Sequence, residues 1–542
     1  MEQQANNLFS FSQNENLLNN QQNIDLGGQG KNQSSNNGNN EDADKLKERR
    51  ENNAIEIRRD KRNKDLNKKR QFNTTQNQGS MKSDSTSKDN FQGSDELRQK
   101  VEKWIRQTFT LTNDFQTIVQ SINSNDIEQQ HYGTIGLRKI LSTEDNPPIQ
   151  NAIDANLIPR LIQFISQDEL KHLQLEAAWA LTNIASGNSS QTQAIIDKGA
   201  IPIFIKLLKS DQSEVAEQAI WAIGNISGDC AVYRDMILRS GGLQPLIAII
   251  QNATTKAAIK HGTWALSNLC RGRPLPKFQL VKDALPILAQ VLMRTTEAEI
   301  LGDAAWALSY LSDGDESRID MVIQTGIIPT LISLLRSPIL SILIPVLRII
   351  GNIVTGSEQQ TNQVLNEPNA LPELFQILNH NQKTARREAC WALSNITAGT
   401  KDQIHQIIKE ERYIEKLFSL LETDNDDIKR ESAWVLSNAT SQAYPEDVRY
   451  LVNKGILKLF VQNLDSKDNK TVAVILEAIN NILNCGQQNF TSNGENIFLI
   501  ELDNQQGVDK IEELQKHTCN NVYKKALNIL EKHFEIEDPL NA

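Results

Sequence analysis

The stretch "EAAWALTNIASG", Glu176 to Gly187, sets an indole and a carboxamide four positions apart in an Ala-rich helical run. A helix advances about 3.6 residues per turn, so Trp179 and Asn183 share one face. The pattern returns as "WAIGN" at Trp221, "WALSN" at Trp264, "WALSY" at Trp306, "WALSN" at Trp391 and "WVLSN" at Trp434. Copies stand 42 or 43 residues apart, with one double step in which Arg348 and Asn352 fill the expected place. A second register agrees: Pro159, Pro202, Pro245, Pro286, Pro329 and Pro372 precede the Trp position by 19 or 20 residues. They open apolar runs such as "IPIFIKLLKS", where a first-turn proline lacks only an amide that has no helical partner. Gly187, Gly228, Gly272, Gly314, Gly356 and Gly399 follow the Asn position by three or four residues and are expected to end the helix in the left-handed conformation.

A fixed period of helices, each unable to bury its apolar face alone, is the signature of an α-solenoid. Each unit should hold a Pro-started helix, a longer Trp/Asn helix and a short third one such as that between Gly187 and Gly199. Extrapolation puts divergent units at Leu137 and Leu141 and at Glu477 and Asn481, and "VDKIEELQKHTCNNVYKKALNILEKHFE" reads as a helical cap. Residues 1–40 are rich in Asn, Gln, Gly and Ser, with too few apolar side chains to offset the entropy of ordering, and are expected to be disordered. Residues 41–70 form a basic segment, 71–95 a flexible linker, 96–535 the repeat domain and 536–542 a tail.

The 542-residue chain carries a net charge of −10, which favours basic partners and disfavours nucleic acid. The stretch from Lys45 to Arg70 reverses that sign, with twelve basic and five acidic residues. Five scattered cysteines suggest neither a zinc site nor a disulfide framework; they suit a reducing compartment, as small core residues. No secretory signal is evident. The apolar region Ile327 to Ile350 contains Arg336, Arg348 and three prolines and reads as buried soluble helices rather than a membrane span.

Three residues before each Trp position stand Glu176, Gln218, His261, Asp303, Pro345, Glu388 and Glu431, too polar for a core stripe. The Trp/Asn/acid stripe is therefore expected to face solvent, with Ala177, Leu181 and Ile184 supplying the packing. Asn carboxamides suit the backbone of an extended peptide, indoles form parallel walls for Lys or Arg stems, and the acids receive the charged heads. Intact pairs fall in two stretches, Trp179 to Asn268 and Trp391 to Asn438, separated by Trp306/Tyr310 and Arg348/Asn352. At roughly 8 to 10 Å per stacked helix the centres lie on the order of 40 Å apart, about a dozen extended residues. Arg348 between them is expected to repel a basic linker. His261 reads as a surface polar residue. No constellation of catalytic type or phosphate loop appears, so no enzyme and no cofactor are expected.

The ordered Trp-x-x-x-Asn array, with "ESAWVLSN", "GNIVTGSEQQT" and "LSYLSDG" and a basic segment before it, resembles the importin alpha (karyopherin alpha) family of nuclear import adaptors over about residues 41 to 535. The resemblance implies a right-handed superhelical, all-α armadillo solenoid of about ten repeats with a basic amino-terminal segment. It implies a major site for nuclear localisation signals at Trp179, Asn183, Gly187, Thr192, Gln218, Trp221, Asn225, Asp229, Trp264, Asn268 and Asp303. A minor site follows at Arg348, Asn352, Val354, Glu358, Thr361, Glu388, Trp391, Asn395, Glu431, Trp434 and Asn438, with Glu358 standing where animal members often have Asp. Within the basic segment Arg49, Arg50, Arg58, Arg59, Lys61, Arg62, Lys68, Lys69 and Arg70 would bind importin beta, and the last three match an autoinhibitory cluster. Further implied partners are basic cargo proteins and an export receptor of the exportin-2 (CAS) type with Ran-GTP, in a protein shuttling between cytoplasm and nucleus without contacting nucleic acid or membrane. The competing readings are a catenin-type armadillo scaffold and an RNA-binding repeat protein; the acidic residues of the stripe weigh against the second.

Overall fold

The computed structural model describes residues 115–143 and 146–534. The expected disordered tail, basic segment and linker lie outside these residues, as does the tail after residue 534.

Among the described residues, nine long helices follow the Trp/Asn period: Ile127–Leu141, Lys171–Ala185, Ser213–Asp229, Lys256–Cys270, Ala298–Leu311, Leu340–Ile353, Lys383–Thr397, Asp426–Gln442 and Asn469–Asn489. Each packs against the next, and Asn520–His533 packs on the last. The first and ninth are the two extrapolated divergent units. The prolines fall in the first turns of Ile158–Ile165, Ala200–Leu207, Leu243–Gln251, Ala284–Arg294, Ile328–Leu334 and Ala370–Ile377, which pack against the long helices or lead into them. Leu181, Ile184, Ile223 and Ile226 belong to one apolar core that continues from unit to unit, the property that makes single repeats interdependent. Ile327 to Ile350 resolves into parts of two helices, the first partly and the second largely buried, and no described helix is long and apolar enough to cross a membrane.

The glycine expectation needs correction. Of the six glycines after the Asn position, Gly272 alone has a positive φ, 104°. Gly187, Gly356 and Gly399 are glycine for a different reason: a Cβ there would overlap the amide oxygen of Gln191, Gln360 or Gln403. Each of these glutamines folds back as the third residue of a capping box, its Oε1 accepting from the N-cap amide of Asn188, Ser357 or Thr400. Gln360 Nε2 also donates to the Glu316 carbonyl at 2.8 Å and Gln403 Nε2 to that of Glu358 at 3.1 Å, so the caps join successive units.

The Lys256–Cys270 unit departs from the pattern, because an irregular loop and a single 3₁₀ turn, Phe278–Leu280, follow it. Fully buried Arg234 holds this loop, its Nη1 donating to the carbonyls of Arg271 (2.7 Å) and Pro274 (2.9 Å). At the other end, a two-stranded hairpin, Thr491–Ser492 with Glu495–Asn496, turns through Asn493 and Gly494, both left-handed, before the closing helices.

Candidate functional site: the stripe of Trp, Asn and acid

The nine long helices set their Trp and Asn positions side by side, but the stripe is less open than the sequence suggested. Asn183 and Asn225 are fully buried, and Asn268, Asn352, Asn395 and Asn438 are also buried. The solvent-facing expectation fails for the carboxamides because each spends a donor on the unit before it. Asn225 donates to the Thr182 carbonyl (3.2 Å), Asn268 to Gly224 (2.9 Å), Asn352 to Ser309 (3.0 Å), Asn395 to Gly351 (3.4 Å) and Asn438 to Ser394 (2.8 Å). In every case the acceptor is the residue just before the Asn position of the preceding unit. Asn183 likewise reaches back to the unit before it, donating to Ser142 Oγ at 2.9 Å. A carboxamide offers two N–H groups and an oxygen, and Asn352 Nδ2 donates a second time, to Ser312 Oγ at 2.9 Å.

The indoles differ in depth. Trp264 is 1% exposed and Trp391 6%, whereas Trp179, Trp221, Trp306 and Trp434 are half-buried. The difference traces to the same gripped residue. Before Trp264 and Trp391 it is Gly224 and Gly351, and a Cβ at either would overlap the six-membered ring. Elsewhere it is Thr182, Ser267 or Ser394, and the next indole is half-buried. The rings are not the parallel walls expected: Trp221 and Trp264 lie 5.7 Å apart at 52°. Trp306 stacks on Tyr310 at 6.0 Å, which closes the first degenerate unit on itself.

The residues three before the Trp positions are buried as well, except for half-buried His261. Glu176 receives Arg138 Nε at 2.7 Å, and Glu388 receives Arg348 Nη2 at 2.6 Å. Each guanidinium also covers the indole one turn further on, Arg138 at 4.5 Å from the centroid of Trp179 and Arg348 at 5.3 Å from that of Trp391. Arg348 therefore does not stand as a bare positive charge repelling a linker; a buried carboxylate neutralises it. Gln218, Asp303 and Glu431 are buried at the same register, and the Gln218 carbonyl accepts from Thr182 Oγ1 at 3.2 Å. His261 is more than a surface polar residue: its Nδ1 lies 3.2 Å from Trp221 Nε1 and 2.8 Å from Glu217 Oε1. Whether that nitrogen carries the proton decides which of the two it serves.

The pocket residues form two related sets. Thr192 is buried and its Oγ1 lies 3.2 Å from the Ala185 carbonyl; buried Thr361 makes the matching bond to Val354 at 3.5 Å. Gly187 lies between Ala185 and Thr192, and Asp229 faces this corner from the next unit, accepting from Ser189 Oγ at 3.0 Å. Glu358 is exposed at the start of the helix that carries Thr361, at the amino-terminal end where the helix dipole favours a carboxylate. A small cleft lined by Asp313, Arg348, Asn352, Thr355 and Trp391 opens beside this second set. Sequence reasoning missed Arg138, Glu217, Ser189, Gly224 and Gly351. The two glycines were legible as the one small exception in the otherwise Ser or Thr place before Asn; Arg138 stands one residue off the Trp register at Leu137 and gave no such signal.

Residues 34–135 match the model of the importin beta binding domain. Armadillo/beta-catenin-like repeat models match residues 145–186, 188–228, 274–313 and 315–355, a HEAT-like repeat model matches 345–396, and an atypical Arm repeat model matches 496–542. Among curated proteins, importin subunit alpha-1b of Oryza sativa subsp. japonica is 45% identical over 78% of this chain and 79% of its own length. Importin subunit alpha-3 of Arabidopsis thaliana is 43% identical over 90% of this chain and 89% of its own. The chain belongs to the importin alpha family. Membership makes it a transport adaptor of the nuclear import type and not an enzyme, and the match at residues 34–135 separates it from a catenin-type scaffold. A solved engineered protein of the Northeast Structural Genomics Consortium shares the fold, with TM-score 0.69 and 27% identity over 78% of this chain and 98% of that one.

Proposed function

We propose that the stripe binds basic, extended nuclear localisation signals in two stretches, the first from Trp179 to Asp303 and the second from Arg348 to Asn438. The observation that carries this reading is internal to the protein. Arg138 and Arg348 each lay a guanidinium on a stripe indole and pair it with the stripe carboxylate, which is the chemistry a cargo arginine or lysine would meet. The spacing of the stretches fits a bipartite signal. The basic segment Lys45 to Arg70 serves two partners in turn: importin beta, and the acidic groove of its own chain, which it occupies until importin beta withdraws it. A tether of about 25 residues keeps that segment at an effective concentration in the millimolar range. The cycle then needs an export receptor of the exportin-2 type with Ran-GTP, and a protein present in both cytoplasm and nucleus.

Deleting residues 1–75 tests the autoinhibitory step. Affinity for a bipartite Lys/Arg-rich peptide should rise in the shortened chain, and unchanged or weaker binding removes autoinhibition from the account.

A further inference from the structure

Arg138 sits on the Ile127–Leu141 helix, one residue past the place where the repeat would put a Trp. Its contacts are those of an occupied slot. Nε donates to Glu176 Oε2 at 2.7 Å, Nη2 to Oε1 at 3.4 Å, and Cζ lies 4.5 Å from the Trp179 centroid. The Arg138 and Glu176 side chains are 11% and 7% exposed, so the fork is sheltered from water and from salt. A paired guanidinium of this kind resists displacement, because a ligand ammonium entering the slot would have to break a buried ion pair and leave Arg138 unmatched. Arg348, Glu388 and Trp391 repeat the arrangement at the entrance to the second stretch, with side-chain exposures of 8% and 1% for the charged pair.

We propose that Arg138 is the boundary residue of the first stretch: it fills the Trp179/Glu176 slot from within the chain and thereby limits how many cationic side chains of a bound peptide that stretch accepts. The inference rests on the peptide-binding reading above. Removing the fork should convert a plugged slot into one that takes a further lysine or arginine, while the slots built on Trp221 and Trp264 stay as they are.

The experiment is a fluorescence-anisotropy titration of the full chain with a peptide of five consecutive basic residues, and with two longer peptides that add two lysines at one end or the other. For the native chain the two extensions should change affinity less than about 2-fold, the range of a screened surface charge pair. In Arg138→Gln one extension should gain about 5-fold or more, the size of a partly desolvated cation–π contact. Adding Glu176→Gln should remove that gain. The same extension ratios in the native chain and Arg138→Gln would overturn the proposal. Circular dichroism melting checks that the variant folds; if it does not, Arg138→Lys, which keeps the charge without the fork, is read against the same ratios, and no change in them again overturns it. Failure of both the native chain and the chain lacking residues 1–75 to bind any of the three peptides contradicts the groove reading itself, a different result from binding that ignores Arg138.

Discussion

Trp264 rests on Gly224. The indole of one unit lies where the preceding unit has no side chain, and Asn268, one turn beyond Trp264, bonds the carbonyl of that same glycine at 2.9 Å. The pair Trp391 and Gly351 repeats the relationship in the second stretch, with Asn395 as the clamp. Stripe residues thus hold the helices in stack as well as presenting chemistry, which ties the spacing of the slots to the stability of the solenoid.

Gly224→Ala should therefore destabilise, although alanine in an unencumbered helix would gain up to about 1 kcal/mol. The added methyl meets a rigid ring in a packed interface, and overpacking of this kind costs about 1–3 kcal/mol. The urea midpoint should fall and tryptophan emission should shift to the red as the ring moves outward. Gly351→Ala should behave alike. A midpoint at or above that of the native chain would mean that the ring has room to give.

The thiols offer a footprint of the first stretch. Cys230 is exposed directly after Asp229, whereas Cys270 and Cys390 are fully buried, and burial pushes the Cys270 thiol up to about 12. An alkylating reagent should label Cys230 first and reach the two buried thiols only on unfolding, since the thiolate is the reactive form. A bound basic peptide should slow labelling of Cys230 several-fold; labelling that is indifferent to saturating peptide would place the ligand away from Asp229.

The period, the unit of helices and the two end units were legible because every repeat must satisfy the same packing with its neighbours, so the same residue types return at the same spacing. The facing of the stripe was misread for a physical reason. Polarity normally marks water, but here Asn225, Asn268 and Asn438 are polar because a backbone carbonyl of the neighbouring helix awaits them. A single repeat read alone cannot reveal that carbonyl. Gly187 and Gly356 were assigned to backbone freedom when the side chain four residues on was the cause. Arg138 was invisible because a charge one place off register looks like any surface residue until the fold brings Glu176 and Trp179 to it.

Acid should loosen one joint between units in a defined direction. Burial raises the Asp424 carboxyl, but the fork from Arg386, with two bonds of 2.8 Å, and the amide of Asn425 outweigh it and leave it below its ordinary 3.8. A carboxylate lowered on folding adds stability that is present above its unfolded pKa and is lost as pH falls through the folded value. The melting-temperature advantage of the native chain over Arg386→Gln should be full near pH 6 and shrink below pH 3.8. An advantage that grows on acidification would reverse the assignment.

The central claim is that this groove takes basic peptide. Calorimetric titration of the chain lacking residues 1–75 with a bipartite Lys/Arg-rich peptide, and with single-stranded RNA of similar length, addresses it most directly, with Asp229→Lys as the comparison. The peptide should bind tightly, more weakly as salt rises, and the RNA not at all, and Asp229→Lys should lose most of the first-stretch affinity. Wild-type peptide affinity in Asp229→Lys, or RNA bound as tightly as the peptide, would contradict that claim.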